Sequence, residues 1–268
     1  MSIDGITGEG TTDFVTKVRA RYNGLFEIFY RINRHAISLL DKFQIESDDL
    51  QGILVSGFFL RVIDNVQASV VLSERGFSTQ SRVVLRAALE SQFSLRACLS
   101  WKFCEKLIAA DMVKQKKMLR KAESLSKISK VRGLDEMLAS ENIAQFMKDV
   151  SEIDAPDIPT IEIAKVAGCY DLYLGAYATL STAVHSTVSD IERNIVISDD
   201  GEIMEISKEP SLDDVAFQLV CAVESLLDSS MAAGAFLEKD LMDYWKQEHE
   251  ALRAISDMEL VKTGVIHS

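Results

Sequence analysis

Proline is scarce in this chain, with three in 268 residues, and glycine stops at 13. Strand-rich folds need many turns, so this scarcity argues against a sandwich or barrel and for long helices. Cysteine is also sparse. Cys98, Cys104, Cys169 and Cys221 form no CxxC pair and sit in apolar context, which reads as reduced core residues in a reducing compartment. The four histidines are His35, His185, His249 and His267, and no two lie within five residues of each other. Zinc-ligand spacing is therefore absent. So are a P-loop, a GxGxxG, an HExxH and a GxSxG elbow. No metal and no cofactor are expected, and nucleotide-dependent phosphoryl transfer is disfavoured.

Basic charge is in deficit overall. The net charge is −12, so the chain as a whole should not coat nucleic acid or anionic membrane without specificity. The opening "MSIDGITGEGTTDF" lacks a basic and an apolar region, so it reads as a flexible leader over residues 1–12, not a signal peptide. The most apolar run, residues 52–72, is interrupted by Arg61, Asp64 and Asn65. A membrane span tolerates such residues poorly, so the run reads as a buried helix of a soluble, cytoplasmic protein.

What is present is helical periodicity. Phe14, Val18, Leu25, Phe29 and Ile32 predict a first helix over residues 13–43. A second helix follows to Glu74, with Ser47 as the expected N-cap and Gly76 as a C-cap. A third starts near Ser78 and runs long, apolar in its first half and basic in its second. A short helix is expected over residues 134–150, then the linker "IDAPDIPT", then a fifth helix over residues 160–194. In that helix Val166, Tyr170, Tyr173, Tyr177, Leu180, Val184, Thr187 and Ile191 repeat as a packing seam. Asp200-Gly201 between β-branched runs predicts a hairpin with a two-residue primed turn. Ser211 and Asp214 resemble a capping box that opens the last long helix. The expected fold is all-α: a helical bundle of about six helices with one small β-hairpin around residues 195–206. Residues 13–243 read as one helical domain with the hairpin (195–207) inserted, and residues 244–268 as a polar tail.

Three constellations carry chemistry. Arg82, Arg86 and Glu90 share one stripe of the third helix among apolar neighbours. Buried charges need partners, so these residues are either an ion pair that fixes helix register or a guanidinium held to meet an anion such as phosphate, with Glu90 orienting it. Tyr173, Tyr177, Ser181 and His185 form a second line at i, i+4, i+8 and i+12. It is either an interhelical polar network or a site in which His185 is the general acid/base and Ser181 and Tyr177 position it or the substrate. The third is basic: residues 114–132 hold eight Lys/Arg, including Lys114, Lys116, Lys117, Arg120 and Lys121, against the single acid Glu123. That local +7 leaves −19 on the remainder. Such segregation suits RNA or another polyanion, or an acidic patch on a second copy of the chain.

"VVLSERGFSTQSRVVLRAALESQFSLRACL" and "YLGAYATLSTAVHSTVSD" pair an R-x-x-x-E helix with a later Y-x-x-x-S-x-x-x-H helix and a hairpin. The pairing resembles a family of uncharacterised bacterial all-helical proteins, a domain of unknown function with HEPN-like features. HEPN ribonucleases place an arginine about five to seven residues before a histidine, at a dimer interface and without metal. Here Arg34 and His35 are adjacent, and no arginine shortly precedes His185, so Arg86 would have to meet His185 across two helices. The resemblance implies a metal-independent ribonuclease or toxin-like effector in bacterial antiphage or stress defence. It would act as a dimer, with His185 as acid/base, Arg86 on the phosphorane and the basic run on RNA. The other expectation is a non-catalytic regulatory or interaction module, in which Arg86, Glu90, Ser181 and His185 are a buried network.

Overall fold

A computed structural model of the chain describes residues 11–128, 133–184, 188–192, 194–198, 200–207 and 209–262. Among them the chain is mostly helical, and one two-stranded antiparallel sheet is present. The contacts divide it into two compact units: Met1–Leu99 with Ala164–Ser268, and Ser100–Ile163.

The larger unit begins with α1 (Thr11–Arg21) and α2 (Asn23–Leu40). These replace the single first helix predicted. The break falls at Tyr22, ahead of Asn23 and Gly24, two weak helix formers. The Tyr22 ring is buried, and its hydroxyl donates to Leu212 O at 2.9 Å. Next comes α3 (Leu50–Glu74). Its N-cap is Asp49, not Ser47: the Asp49 carboxylate accepts from the Gly52 N–H at 2.8 Å, satisfying one of the orphan donors of the first turn. Gly76 then takes φ +85°, the left-handed conformation that ends helices cheaply only in glycine.

α4 (Ser78–Ala97) is buried over most of its surface. The predicted long third helix stops there. A turn over residues 98–100 separates it from α5, and Ser100 is a residue type that starts helices readily. After Ala164 the larger unit continues with the end of α8 (Thr160–Val166), α9 (Tyr170–Leu172), a π-helical turn (Tyr173–Tyr177), α10 (Ala178–Val184) and α11 (Val188–Glu192). The predicted fifth helix is therefore broken. Gly168 at φ +68° ends α8, and the Cys169 N–H closes on Ala164 O at 2.8 Å, a left-handed C-cap. The seam breaks with it. Tyr177 and Leu180 are buried, Val166 and Ile191 are more than half exposed, and Thr187 lies outside the described residues.

β1 (Ile195–Ile197) and β2 (Ile203–Ile206) pair antiparallel, with Ile195 opposite Ile206 and Ile197 opposite Ile203. The connection is thus residues 198–202, not a two-residue turn. Gly201 is left-handed, and the Ser198 N–H donates to Glu202 O at 2.9 Å. α12 (Asp213–Phe236) and α13 (Met242–Lys262) complete the unit. Asp214 reaches outside its own helix. Its carboxylate accepts from Ser78 Oγ at 2.8 Å, and Gln218 Nε2 donates to the same Ser78 oxygen at 2.7 Å, pinning α12 to the start of α4. The helices outnumber the six or so expected, because these breaks divide the long predicted segments.

α12 packs on α2, α3, α4 and α13, so it is the centre of the larger core. α3 and α12 are each long and apolar enough to cross a membrane by length and composition. α13 takes in most of the segment expected as a polar tail. Glu248, 2% exposed, receives Arg31 of α2 in a two-pronged pair at 2.6 and 2.5 Å. The pair combines charge with fixed geometry. Arg19 likewise binds both oxygens of Glu74, joining α1 to α3.

The smaller unit holds α5 (Trp101–Ile128), α6 (Leu134–Leu138), α7 (Glu141–Asp149) and the start of α8. The single helix expected over residues 134–150 is two, divided at Ala139–Ser140. All four cysteines are buried thiols.

A Cβ at Gly76 would lie 2.5 Å from Pro210 Cβ in a backbone conformation unfavourable to L side chains. Gly76→Ala should therefore lower the free energy of unfolding by about 2–4 kcal/mol. Urea melts of the two proteins check this, and equal midpoints would contradict it.

Candidate functional site

The site is built from α4 outward. Three charged residues on one face of a largely buried helix cannot all reach water, so they find partners on the segment packed against them. Arg82 is 2% exposed; its Nη2 donates to Thr179 O at 3.0 Å and Thr182 Oγ1 at 2.6 Å. One turn on, Arg86 Nε donates to Ser181 Oγ at 3.1 Å and Nη2 to the Tyr177 hydroxyl at 2.6 Å. The Tyr177 hydroxyl donates in turn to Glu90 Oε1 at 2.7 Å, and Arg86 Nη2 lies 2.9 Å from the same oxygen. Ser181 Oγ donates to Tyr177 O at 2.7 Å.

Arg86, Glu90, Tyr177 and Ser181, all predicted site residues, thus meet in one cluster. It is half open: the Arg86 and Glu90 side chains are 23% and 37% exposed. Aromatic rings hold its floor. Tyr177 stacks on Tyr173 at 4.9 Å, meets Phe93 at 5.8 Å, and carries the Arg86 guanidinium 4.9 Å from its ring centre. Such contact adds cation–π attraction to the hydrogen bonds.

The π-helical turn explains how two rings and a serine converge. Its widened turn rotates the following residues relative to a plain α-helix, a distortion that recurs at functional sites. Gly175 lies within it, where the missing side chain eases the irregular backbone. His185, the predicted acid/base, lies outside the described residues.

The basic run sits in the smaller unit. Lys114, Lys117, Arg120 and Lys121 are exposed on α5, and none has an ion-pair partner among the described residues. Lys116 differs. Its ammonium donates to Val150 O at 2.8 Å and Ser151 O at 3.0 Å, holding the end of α7. Lys130 and Arg132 lie outside the described residues.

A second feature was not anticipated from the sequence. A cavity of about 250 Å³ opens in the larger unit, lined by Leu89 and Gln92 of α4, Leu172, Ala176, and residues of α12 and α13. Its polar lining is Gln92, Glu224, Ser225, Asp228, Trp245 and His249. Asp228 receives Trp245 Nε1 at 3.3 Å and Gln92 Nε2 at 3.4 Å, with Arg96 at 3.9 Å. His249 stacks on Trp245 at 4.7 Å. Glu224 has no hydrogen bond or ion pair among the described residues. The surrounding protein raises its carboxyl pKa by desolvation, His249 opposing that shift and Asp228 adding to it. One signal was legible: Glu224 and Asp228 are the only charges between Val215 and Phe236, and like charges at i, i+4 on a helix repel. Among the described residues no three His, Cys, Asp or Glu side chains gather as a metal site.

A family model described as a family of unknown function (DUF5677) matches residues 52–203. That span holds α3, α4, the whole smaller unit, the Arg86 cluster and β1. No curated protein and no solved structure matches the chain.

The cluster predicts a graded response. Tyr177→Phe keeps the ring but removes the acceptor for Arg86 and the donor to Glu90. It should cost about 1–3 kcal/mol of stability, and Ser181→Ala about 1 kcal/mol. Chemical denaturation should rank them so; a neutral Tyr177→Phe would mean that the network carries no net stability.

Proposed function

The chain belongs to this DUF5677 family of unknown function, and from the Arg86 cluster we propose that it is a metal-independent ribonuclease, a toxin-like effector of bacterial defence acting in the cytoplasm. One observation carries the reading. Arg86 is fixed through Nε and Nη2 by Ser181, Tyr177 and Glu90, while its Nη1 has no partner among the described residues and the side chain is 23% exposed. A guanidinium held on one edge and open on the other is suited to a phosphate oxygen.

The chemistry follows from RNA itself. The 2′-hydroxyl attacks the adjacent phosphorus and the 5′-oxygen leaves. One group must take the 2′ proton, another must protonate the leaving oxygen, and a cation must stabilise the phosphorane. Arg86 supplies the cation. Glu90 and Tyr177 fix its direction, and Ser181 holds the Nε edge. His185 is assigned the acid/base step from the sequence. Lys114, Lys117, Arg120 and Lys121 are assigned to the RNA backbone; Lys116 contributes charge while tied to α7. A dimer is part of the reading, and the exposed Ile197, Ile203, Met204 and Ile206 of the hairpin are a candidate contact. Sedimentation of the full chain should give a dimer mass, weakened by Ile203→Glu; a monomer at all concentrations would remove this part.

A second reading has its own support. Tyr177, Ser181 and Glu90 Oε1 are all satisfied within the cluster, as in a network that only fixes how α4 meets α10. The chain would then be a regulatory or interaction module without catalysis.

The two readings separate in one experiment. Full-length protein is incubated with single-stranded RNA in excess chelator, beside Arg86→Ala and His185→Ala. A ribonuclease cleaves RNA, and loss of the phosphorane-stabilising group slows cleavage by about 10²–10³-fold. If wild type leaves RNA intact and Arg86→Ala only loses about 1–3 kcal/mol of stability, the module reading stands and the ribonuclease reading falls.

A further inference from the structure

The cavity between α4, the π-helical turn, α12 and α13 is a different place from the cluster, and its chemistry is opposite. The Arg86 cluster offers a cation to an anion. The cavity offers acceptors. Glu224 lines it with an exposed side chain that makes no hydrogen bond or ion pair among the described residues. Asp228 is held only at 3.3–3.9 Å, by Trp245, Gln92 and Arg96.

Two polar groups lining the cavity are buried and unanswered. Gln92 is 0% exposed and Ser225 2%, and neither Gln92 Oε1 nor Ser225 Oγ has a partner among the described residues. Buried polar atoms left unpaired are costly, and native folds rarely keep several in one place without a ligand or water to answer them. The remaining wall is apolar: Leu89, Leu172, Ala176 and Leu227. Trp245 supplies an aromatic surface, one side of which His249 covers. Acceptors at one end and apolar walls around them define the guest: a donor-rich cationic head on a short apolar body. The salt-bridged Arg96 answers part of the charge of Asp228, which leaves Glu224 as the counter-charge for a single cation.

We infer that this cavity is a binding site for a small organic monocation, a protonated primary amine with a short hydrocarbon body, whose ammonium is received by Glu224, Asp228 and the Gln92 carboxamide oxygen. The inference does not rest on the ribonuclease reading. An ammonium has three donors and no acceptor, which matches a lining of two carboxylates and a free amide oxygen. An anion would meet the two carboxylates there, and a neutral alcohol would leave Glu224 without its counter-charge.

The chain has two tryptophans, Trp101 and Trp245, so Trp101→Phe leaves Trp245 as the reporter inside the intact full-length protein. In that background n-butylammonium and benzylammonium should change the emission saturably. The isosteric n-butanol and benzyl alcohol should bind at least about tenfold more weakly, the scale set by one charge-assisted hydrogen bond. Glu224→Gln should weaken the amines by about tenfold or more on the same ground, while Glu250→Gln, an exposed acid on α13 outside the cavity lining, should leave them unchanged. The site is refuted if neither amine binds, if the alcohols bind as well as the amines, or if Glu224→Gln and Glu250→Gln behave alike. Because the comparison of amine with alcohol in the Trp101→Phe background needs no cavity substitution, the result stands even where Glu224→Gln folds poorly.

Discussion

The burial of α4 is the constraint from which the site follows. A helix covered on most sides cannot send its arginines to water, and an unpaired buried guanidinium is among the costliest defects a fold can carry. Arg82, 2% exposed, is answered by the backbone of Thr179 and the hydroxyl of Thr182. Those two contacts hold α10 against α4 at one fixed height. Once α10 is there, Tyr177 and Ser181 fall opposite Arg86, and the hydroxyl of Tyr177 comes within reach of Glu90. The half-open cluster is thus the upper end of a ladder whose lowest rung is fully buried. Removing the lower rung would leave the upper one without a reason to form.

Much of this was legible in the residues. Charges at i and i+4 on an apolar helix have to be paired, and a later helix with tyrosine and serine at the same spacing offers matching polar tips. The reason the rest was not legible is that helix breaks depend on tertiary partners. Tyr22 turns the chain because its ring is buried and its hydroxyl has Leu212 O to bond. Asp214 looks like a local capping residue in sequence, and nothing there shows that Ser78, 136 positions earlier, is one of its partners. The π-helical turn has no sequence signature of its own; Gly175 permits it without requiring it. α13 read as a polar tail because its buried residues among those described, Glu248 and Leu252, are few and one is charged. Glu248 is inside only because Arg31 is there to meet it.

The cavity was missed for a related reason. Its polar lining comes from α4, α12 and α13, so no window of sequence holds all of it. The two acids, Glu224 and Asp228, sit on a helix otherwise uncharged from Val215 to Phe236. In isolation that pair weakens the helix. In the fold it is one wall of a space in which Gln92 Oε1 and Ser225 Oγ also lack partners. At Gln92 and Ser225 packing alone would select apolar residues, since an apolar core of the same shape is the more stable solution. Keeping two buried polar atoms there without partners works against stability, and a bound guest would offset that cost.

The two features share their supports, and this has a mechanical consequence. Leu89 and Gln92 of α4 line the cavity while Arg86 and Glu90 of the same helix form the cluster. Leu172 and Ala176 face the cavity, and Tyr173 and Tyr177, their immediate neighbours, hold the rings beneath Arg86. Close-packed elements move as units and do not deform smoothly. A guest that displaces Ala176 displaces Tyr177 with it, and Tyr177 touches both the guanidinium and the carboxylate of the cluster. The π-helical turn is the softest part of this arrangement, because its wide hydrogen-bonded turn is the least favourable helical geometry in the unit. Coupling between an occupied cavity and the exposure of Arg86 therefore has two routes, α4 itself and the five residues Tyr173–Tyr177, and in the second its sign is set by whether filling the cavity tightens or releases that turn.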